Sequence, residues 1–279
     1  MYPRITVITP SYNQAQYLEK TILSVIQQNY PNLEYIIIDG GSKDDSPAII
    51  KKYEKHLAYW VSESDKGQSD ALNKGLKRAT GDIVAWLNSD DWYEAGTLEL
   101  VAKAWNKQPF DVLHGDAVFF YEGNEERNYR NHYGGNCTLD RLLKYWSCDR
   151  DCNPPQPSVF IKKQVFDTIG SLNEQYNLAM DYDLWLRIAR AGYTFTYIPE
   201  VLSYYRFHGN SKSGLQGDFK HFHKEWHQVF LKNIKQVPLS KRLFYYWDYS
   251  GFYYNYGIRS LPKRVTHLLT KGPILQAKY

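Results

Sequence analysis

Four short apolar runs within residues 1–90, separated by longer amphipathic stretches, restrict this chain more than any other feature. Ile5–Thr9, Tyr35–Asp39, Ala58–Ser62 and Ile83–Leu87 each have the length and composition of a buried strand. Between them, Leu18, Ile22, Val25 and Ile26 fall on one face at helical spacing. A second helix is predicted around Pro47–Glu54, and Leu72, Leu76 and Ala79 mark a third that ends near Gly81. Parallel neighbours need crossovers of this length, so the pattern predicts an α/β domain with a mostly parallel central sheet flanked by helices.

In such sheets a ligand binds beyond the carboxyl ends of the strands. The residues there are Thr9, Pro10, Ser11 and Tyr12; Asp39 to Ser42; Glu63 to Gly67, with Asp65 at the centre; and Asn88 to Asp91. Any one loop is what turn-forming residues make. Four loops with an acidic rim at one sheet end point to a site. In Asn88-Ser89-Asp90-Asp91, adjacent carboxylates can hold a hard divalent cation with phosphate oxygens completing its shell, which suggests a diphosphate ligand. The tetrapeptide reads equally as an Asp-rich turn capping the next helix. Asp39 invites comparison with the ribose-binding acid of dinucleotide folds, but Thr9-Pro10-Ser11-Tyr12-Asn13-Gln14 has none of the glycines of a G-x-G-x-x-G turn, and no P-loop lysine motif occurs.

The chain has 279 residues, enough for a core without staples, and its 43% hydrophobic content is that of a globular protein. No apolar run is long enough to span a bilayer and Met1–Pro10 lacks the apolar stretch of a signal peptide, so a soluble, non-secreted protein is expected. Cys137, Cys148 and Cys152, an odd set without a C-x-x-C pair, read as reduced thiols in a cytoplasmic protein. Residues 1–211 carry 22 Lys/Arg against 27 Asp/Glu, whereas residues 212–279 carry 12 against 3. A basic tail on an acidic body points to a polyanionic partner.

The second half is less regular. Val112–Tyr121 and Val159–Ile161 read as strands, the latter preceded by Pro154, Pro155 and Pro157. A helix is predicted over Asp181–Ala191 with Gly192 as its C-terminal cap, then a strand over Leu202–His208 in which Leu202, Tyr204, Arg206 and His208 share a face. Beyond Gly209 the composition turns basic and aromatic, which divides the chain into a domain over 1–211 and a helical extension over 212–279.

The order of five motifs resembles the family 2 glycosyltransferases with the GT-A fold, from about Arg4 to Ser211. They are Val7-Ile8-Thr9-Pro10-Ser11-Tyr12-Asn13, Ile37-Ile38-Asp39-Gly40-Gly41-Ser42, Asn88-Ser89-Asp90-Asp91, Asp181-Tyr182-Asp183-Leu184-Trp185 and Tyr205-Arg206-Phe207-His208. The resemblance implies a nucleoside diphosphate sugar donor, UDP first among the bases, lying against Thr9, Pro10 and Asp39. Ser11, Tyr12, Asp65, Lys74 and Ser89 are further donor-side candidates. It implies Mn²⁺ or Mg²⁺ on the diphosphate, held by Asp90, with Asp91 and His208 as further ligand candidates. Gln156 and Trp185 fall on the acceptor side, and the acceptor is a saccharide or lipid-linked saccharide of cell-surface assembly. Asn88 stands where the motif usually begins with Asp, and Met180 where the family often has Glu.

Asp181 shares a helix face with Leu184, Trp185 and Ile188, so it is expected to point inward, while Asp183 shares one with Arg187 and Arg190 and is expected to pair outward. An inward carboxylate in a dry pocket can accept the proton of an acceptor hydroxyl; the alternative for Asp181 is a helix-terminus cap. With the resemblance, Asp181 is the catalytic base of a single inverting displacement through an oxocarbenium-like transition state. Lys74 either meets the nucleotide or pairs with Asp70 one turn away.

In the extension, Phe219, Phe222, Trp226, Val229 and Phe230 share a face opposite Lys220, Lys224 and His227. Aromatic clusters at Phe244–Trp247 and Phe252–Tyr254 lie amid Lys241, Arg242, Lys263 and Arg264. Basic and aromatic together suit the surface of an anionic membrane, here its cytoplasmic inner face; the plainer reading is packing on the domain. A sugar nucleotidyltransferase would show a Gly-rich basic loop after the first strand, which is absent. A non-catalytic binder leaves the acidic rim without a purpose, and the acidic body repels nucleic acid.

Overall fold

A computed structural model describes residues 2–132, 137–144, 153–209 and 219–252. Its nine strands are β1 (Ile5–Ser11), β2 (Leu33–Asp39), β3 (Tyr59–Ser62), β4 (Ile83–Trp86), β5 (Trp92–Tyr93), β6 (Val112–Tyr121), β7 (Tyr129–Asn131), β8 (Val159–Lys162) and β9 (Phe195–Phe207). They form one sheet in the order β3-β2-β1-β4-β8-β6-β9-β5, with β7 paired to β6. The first four strands pair in parallel, as their crossover spacing predicts. Arriving from the proline-rich segment, β8 inserts antiparallel between β4 and β6. That double reversal turns β6 back to the direction of β4, and β9 follows β6 in parallel.

The helices are α1 (Ala15–Ile26), α2 (Ser46–Lys52), α3 (Gln68–Arg78), α4 (Thr97–Lys107), α5 (Leu139–Leu143), α6 (Lys163–Ile169), α7 (Met180–Arg190), α8 (Phe219–Ile234) and α9 (Leu239–Phe252). Alternation along β2 divides the core: Tyr35 and Ile37 face α1, α2 and α4, while Ile36 and Ile38 face α3, α6 and α7. Helix α3 lies so close to β1 that a Cβ on Gly75 would come within 2.5 Å of Ile8 Cγ2. Trp226, Val229, Phe230 and Ile234 of α8 are buried in the same apolar cluster as α7, and the Trp226 ring stacks on Tyr182 at 4.2 Å and 7°. The side chains of Phe219 and Phe222 lie outside the described residues, as do Cys148, Cys152 and residues 253–279.

Because α8 covers its second face, α7 departs from the expected pattern at Asp183. Asp183 is the buried carboxylate, 1% exposed, and its Oδ2 accepts from Arg187 Nε at 2.8 Å. Asp181, in the first turn, keeps partial exposure as a residue while its carboxyl is desolvated, in keeping with the expected inward direction.

Candidate active site

The carboxyl ends of β1 to β4 and of β9 meet at one edge of the sheet, because all five run the same way. After β2, Asp39 is fully buried; its carboxylate accepts from Ser42 N (2.9 Å), Ser42 Oγ (2.5 Å) and Ser62 Oγ (2.6 Å). Gly40 follows, and a Cβ there would sit 2.6 Å from Asp65 Oδ2, so the β2 and β3 loops stack without side-chain separation. Ser11 O accepts from Gly40 N at 2.8 Å, which joins the β1 and β2 loops, and Tyr12 stands at the rim, exposed. Thr9 turns into the core, its Oγ1 3.1 Å from Tyr35 Oη. Lys74 reaches Glu63 (3.1 Å) and Asp70 (3.6 Å), the salt-bridge alternative of the two weighed for it.

The Asn88–Asp91 turn is built from both directions of the chain. Thr21 Oγ1 of α1 donates to the carbonyls of Ser89 and Asp91, fixing the turn from below. Asn88 accepts from Gln68 Nε2 (2.7 Å) and donates to Gln156 Oε1 (3.0 Å) and Asp91 Oδ2 (3.3 Å). Gln156 in turn donates to the Trp86 carbonyl at 2.8 Å, so it braces the turn from the β8 side. Asp91 points inward: it is buried, its Oδ1 accepts from Arg206 N, and burial, then the neighbouring Asp90 charge, pushes its carboxyl well above the usual range. Asp90 points outward, and the strand face predicted for β9 brings His208 to it, Nε2 to Oδ2 at 3.0 Å. The His208 ring packs against Tyr17, and Arg206 Nε donates to the Asp90 carbonyl.

Among the described residues no three His, Cys, Asp or Glu side chains cluster as a self-sufficient metal site. Asp90 Oδ2 and His208 Nε2 place one carboxylate oxygen and one imidazole nitrogen 3.0 Å apart, donor types that Mn²⁺ accepts when ligand oxygens complete the shell. The inward-turned Asp91 does not join that pair.

Asp181 begins α7 beside this edge. Ser69 Oγ, next to Gln68 in the first turn of α3, lies 3.0 Å from both Tyr176 O and Met180 Sδ, so the α3 and α7 termini are in contact. Atoms crowd the Asp181 carboxyl although the residue is partly exposed; desolvation pushes its pKa up to about 6, against the pull of the Tyr182 N–H bond at 2.7 Å. Trp185, one turn on, is fully buried and stacks on Trp86 at 5.8 Å, forming a floor beneath. Gln68, Tyr17 and Glu225, described below, take part in this arrangement without any mark in the sequence, since each is an ordinary helix-surface residue until the fold places it.

A profile of Glycosyl transferase family 2 matches residues 6–170. The chain belongs to glycosyl transferase family 2. TuaG of Bacillus subtilis (strain 168), named for teichuronic acid biosynthesis, is 31% identical over 259 residues, covering 89% of this chain and 95% of TuaG. Among solved structures, residues 1–349 of S. aureus TarS in complex with UDP-GlcNAc superpose with a TM-score of 0.69 at 18% identity, covering 96% of this chain and 76% of TarS 1–349. The mannosyltransferase PcManGT from Pyrobaculum calidifontis, in complex with GDP-Man and Mn²⁺, gives 0.66 at 20% identity, covering 97% and 82%. The family 2 fold is therefore GT-A-like, and the protein is a glycosyltransferase. The nucleotidyltransferase and non-catalytic readings give way to it.

Proposed function

We propose that this glycosyltransferase moves a sugar, with inversion, from a nucleoside diphosphate donor to a hydroxyl of a saccharide or lipid-linked saccharide in cell-surface glycan assembly. One observation carries the reading: an enclosed carboxylate with a pKa near 6, Asp181, beside the loops that would hold a donor. Such a group is ionised at neutral pH yet basic enough to take the acceptor proton. UDP is the first choice of donor base; GDP is the competing one, and both occur in complexes of GT-A neighbours. Asp39, Ser11 and Asp65 line the donor side. Asp90 and His208 would hold Mn²⁺ or Mg²⁺, which when bound offsets charge on the departing diphosphate. Asp181→Asn tests the assignment: transfer should fall at least 10³-fold while donor binding stays within threefold. Normal turnover by that variant would remove Asp181 from the chemistry.

The acceptor side includes a membrane surface in this proposal. On α9 the apolar residues Leu239, Leu243, Phe244, Tyr246 and Trp247 face solvent, Trp247 at 80% exposure, beside exposed Lys235 and Lys241. An exposed stripe of this size next to cations suits an anionic bilayer. Among the described residues no helix is long and apolar enough to cross a membrane. Co-sedimentation with phosphatidylglycerol vesicles should be lost in the double variant Leu243→Glu, Trp247→Glu; equal binding by both proteins would refute the contact.

A further inference from the structure

Helix α7 has no N-terminal cap of its own. Ala179, at the capping position, has no side-chain acceptor, and the Asp181 carboxylate is turned to the N–H of Tyr182. The unpaired N–H groups ahead of the helix are met from elsewhere: Glu225 Oε2, on α8, accepts from Asn177 N at 3.0 Å, Leu178 N at 2.7 Å and Ala179 N at 3.2 Å. A carboxylate here satisfies three donors at once and faces the positive end of the α7 dipole.

The next residue of α8 holds the other side. Trp226 is buried and stacks flat on the ring of Tyr182, whose hydroxyl donates to Leu142 O. Consecutive side chains of α8 thus grip the chain two to four residues before Asp181 and the residue just after it. Farther along, Arg190 of α7 donates to Asn233, so the helix pair is pinned at both ends.

We propose that Glu225, with Trp226, is a positioning residue that sets the place and enclosure of the Asp181 carboxylate. This rests on the reading of Asp181 as the base. It makes a helix lying beyond residues 6–170, the span of the family profile, a required part of the catalytic apparatus. Two properties follow. An amide oxygen at position 225 can still accept from the backbone ahead of Asp181 whereas alanine cannot, so Glu225→Gln keeps the acceptor and removes only the charge. The enclosure of Asp181 relaxes when that acceptor goes, which a loss of overall stability alone does not reproduce.

The test uses the full chain as wild type, Glu225→Gln, Glu225→Ala and Asp181→Asn, each checked for folding by its melting transition. The first readout is the Asp181 carboxyl titration by carbon-detected NMR, its resonance assigned by its absence in Asp181→Asn. Glu225→Ala should lower the midpoint from about 6 by at least 1 pH unit, and Glu225→Gln should leave it within 0.3. The second is UDP release from UDP-N-acetylglucosamine with Mn²⁺ and water as acceptor: Glu225→Ala should lose at least tenfold in kcat with donor KM within twofold. A folded Glu225→Ala protein whose Asp181 titrates like wild type overturns the proposal, whatever its turnover. Normal turnover by Asp181→Asn would instead overturn the underlying assignment, and the two failures are separate.

Discussion

His208 Nε2 lies 3.0 Å from Asp90 Oδ2, across 118 positions of sequence. The pair forms because β9 runs parallel to the donor-side strands and ends at their carboxyl edge, level with the Asn88–Asp91 turn. If these two side chains hold the cation, Mn²⁺-dependent stabilisation by UDP, about 2.7 kcal/mol at 100 times Kd, should disappear in Asp90→Ala. His208→Ala should weaken UDP binding at least tenfold in Mn²⁺ and leave the metal-free melting point within a few degrees. Differential scanning fluorimetry with and without EDTA reads both.

The raised Asp181 pKa fixes the sign of two pH effects. Activity needs the ionised base, so kcat should rise through pH 6 and level off above pH 7. Stability runs the other way, because folding favours the protonated form: the contribution is complete below the ordinary carboxylate pKa and is lost as pH rises through 6. Asp181→Asn should therefore melt higher than wild type at pH 8, by an amount worth about 1–3 kcal/mol, and melt alike at pH 4.

Asn88 explains its own departure from the family's usual Asp. Its amide donates to Gln156 Oε1 and Asp91 Oδ2, two hydrogen bonds that an ionised carboxylate at position 88, having no donor, could not make. Asn88→Asp should cost about 1–3 kcal/mol of stability at pH 8, seen as a lower urea midpoint at unchanged slope.

Gly75→Ala forces a methyl against Ile8 Cγ2 at 2.5 Å and separates α3 from β1. The expected loss is about 1–3 kcal/mol, and Ile8→Ala in the same chain should recover part of it, a coupling that a double-mutant cycle measures.

Much of this was legible in the residues, for physical reasons. β1, β2 and β4 are buried on both faces and show as apolar runs, β3 at the sheet edge is only partly buried, and the alternation of Leu202, Tyr204, Arg206 and His208 announced a two-faced strand. β5 and β7, of two and three residues, are too short for any period to register. The Asp183 face was misread because a helix wheel assumes one wet side, whereas α8 leaves α7 none along Asp183. Glu225 gave no sign: its role lies in three backbone N–H groups more than 45 residues away, and backbone carries no residue-specific signal.

The stacking of Trp226 on Tyr182 bears on the making of hybrid enzymes. A chimaera that joins residues 1–211 to a foreign C-terminal segment would keep every motif intact and strip Trp226 from the helix that carries Asp181. Its crossover belongs after α8, with Glu225, Trp226 and α7 inherited as one exchangeable cassette.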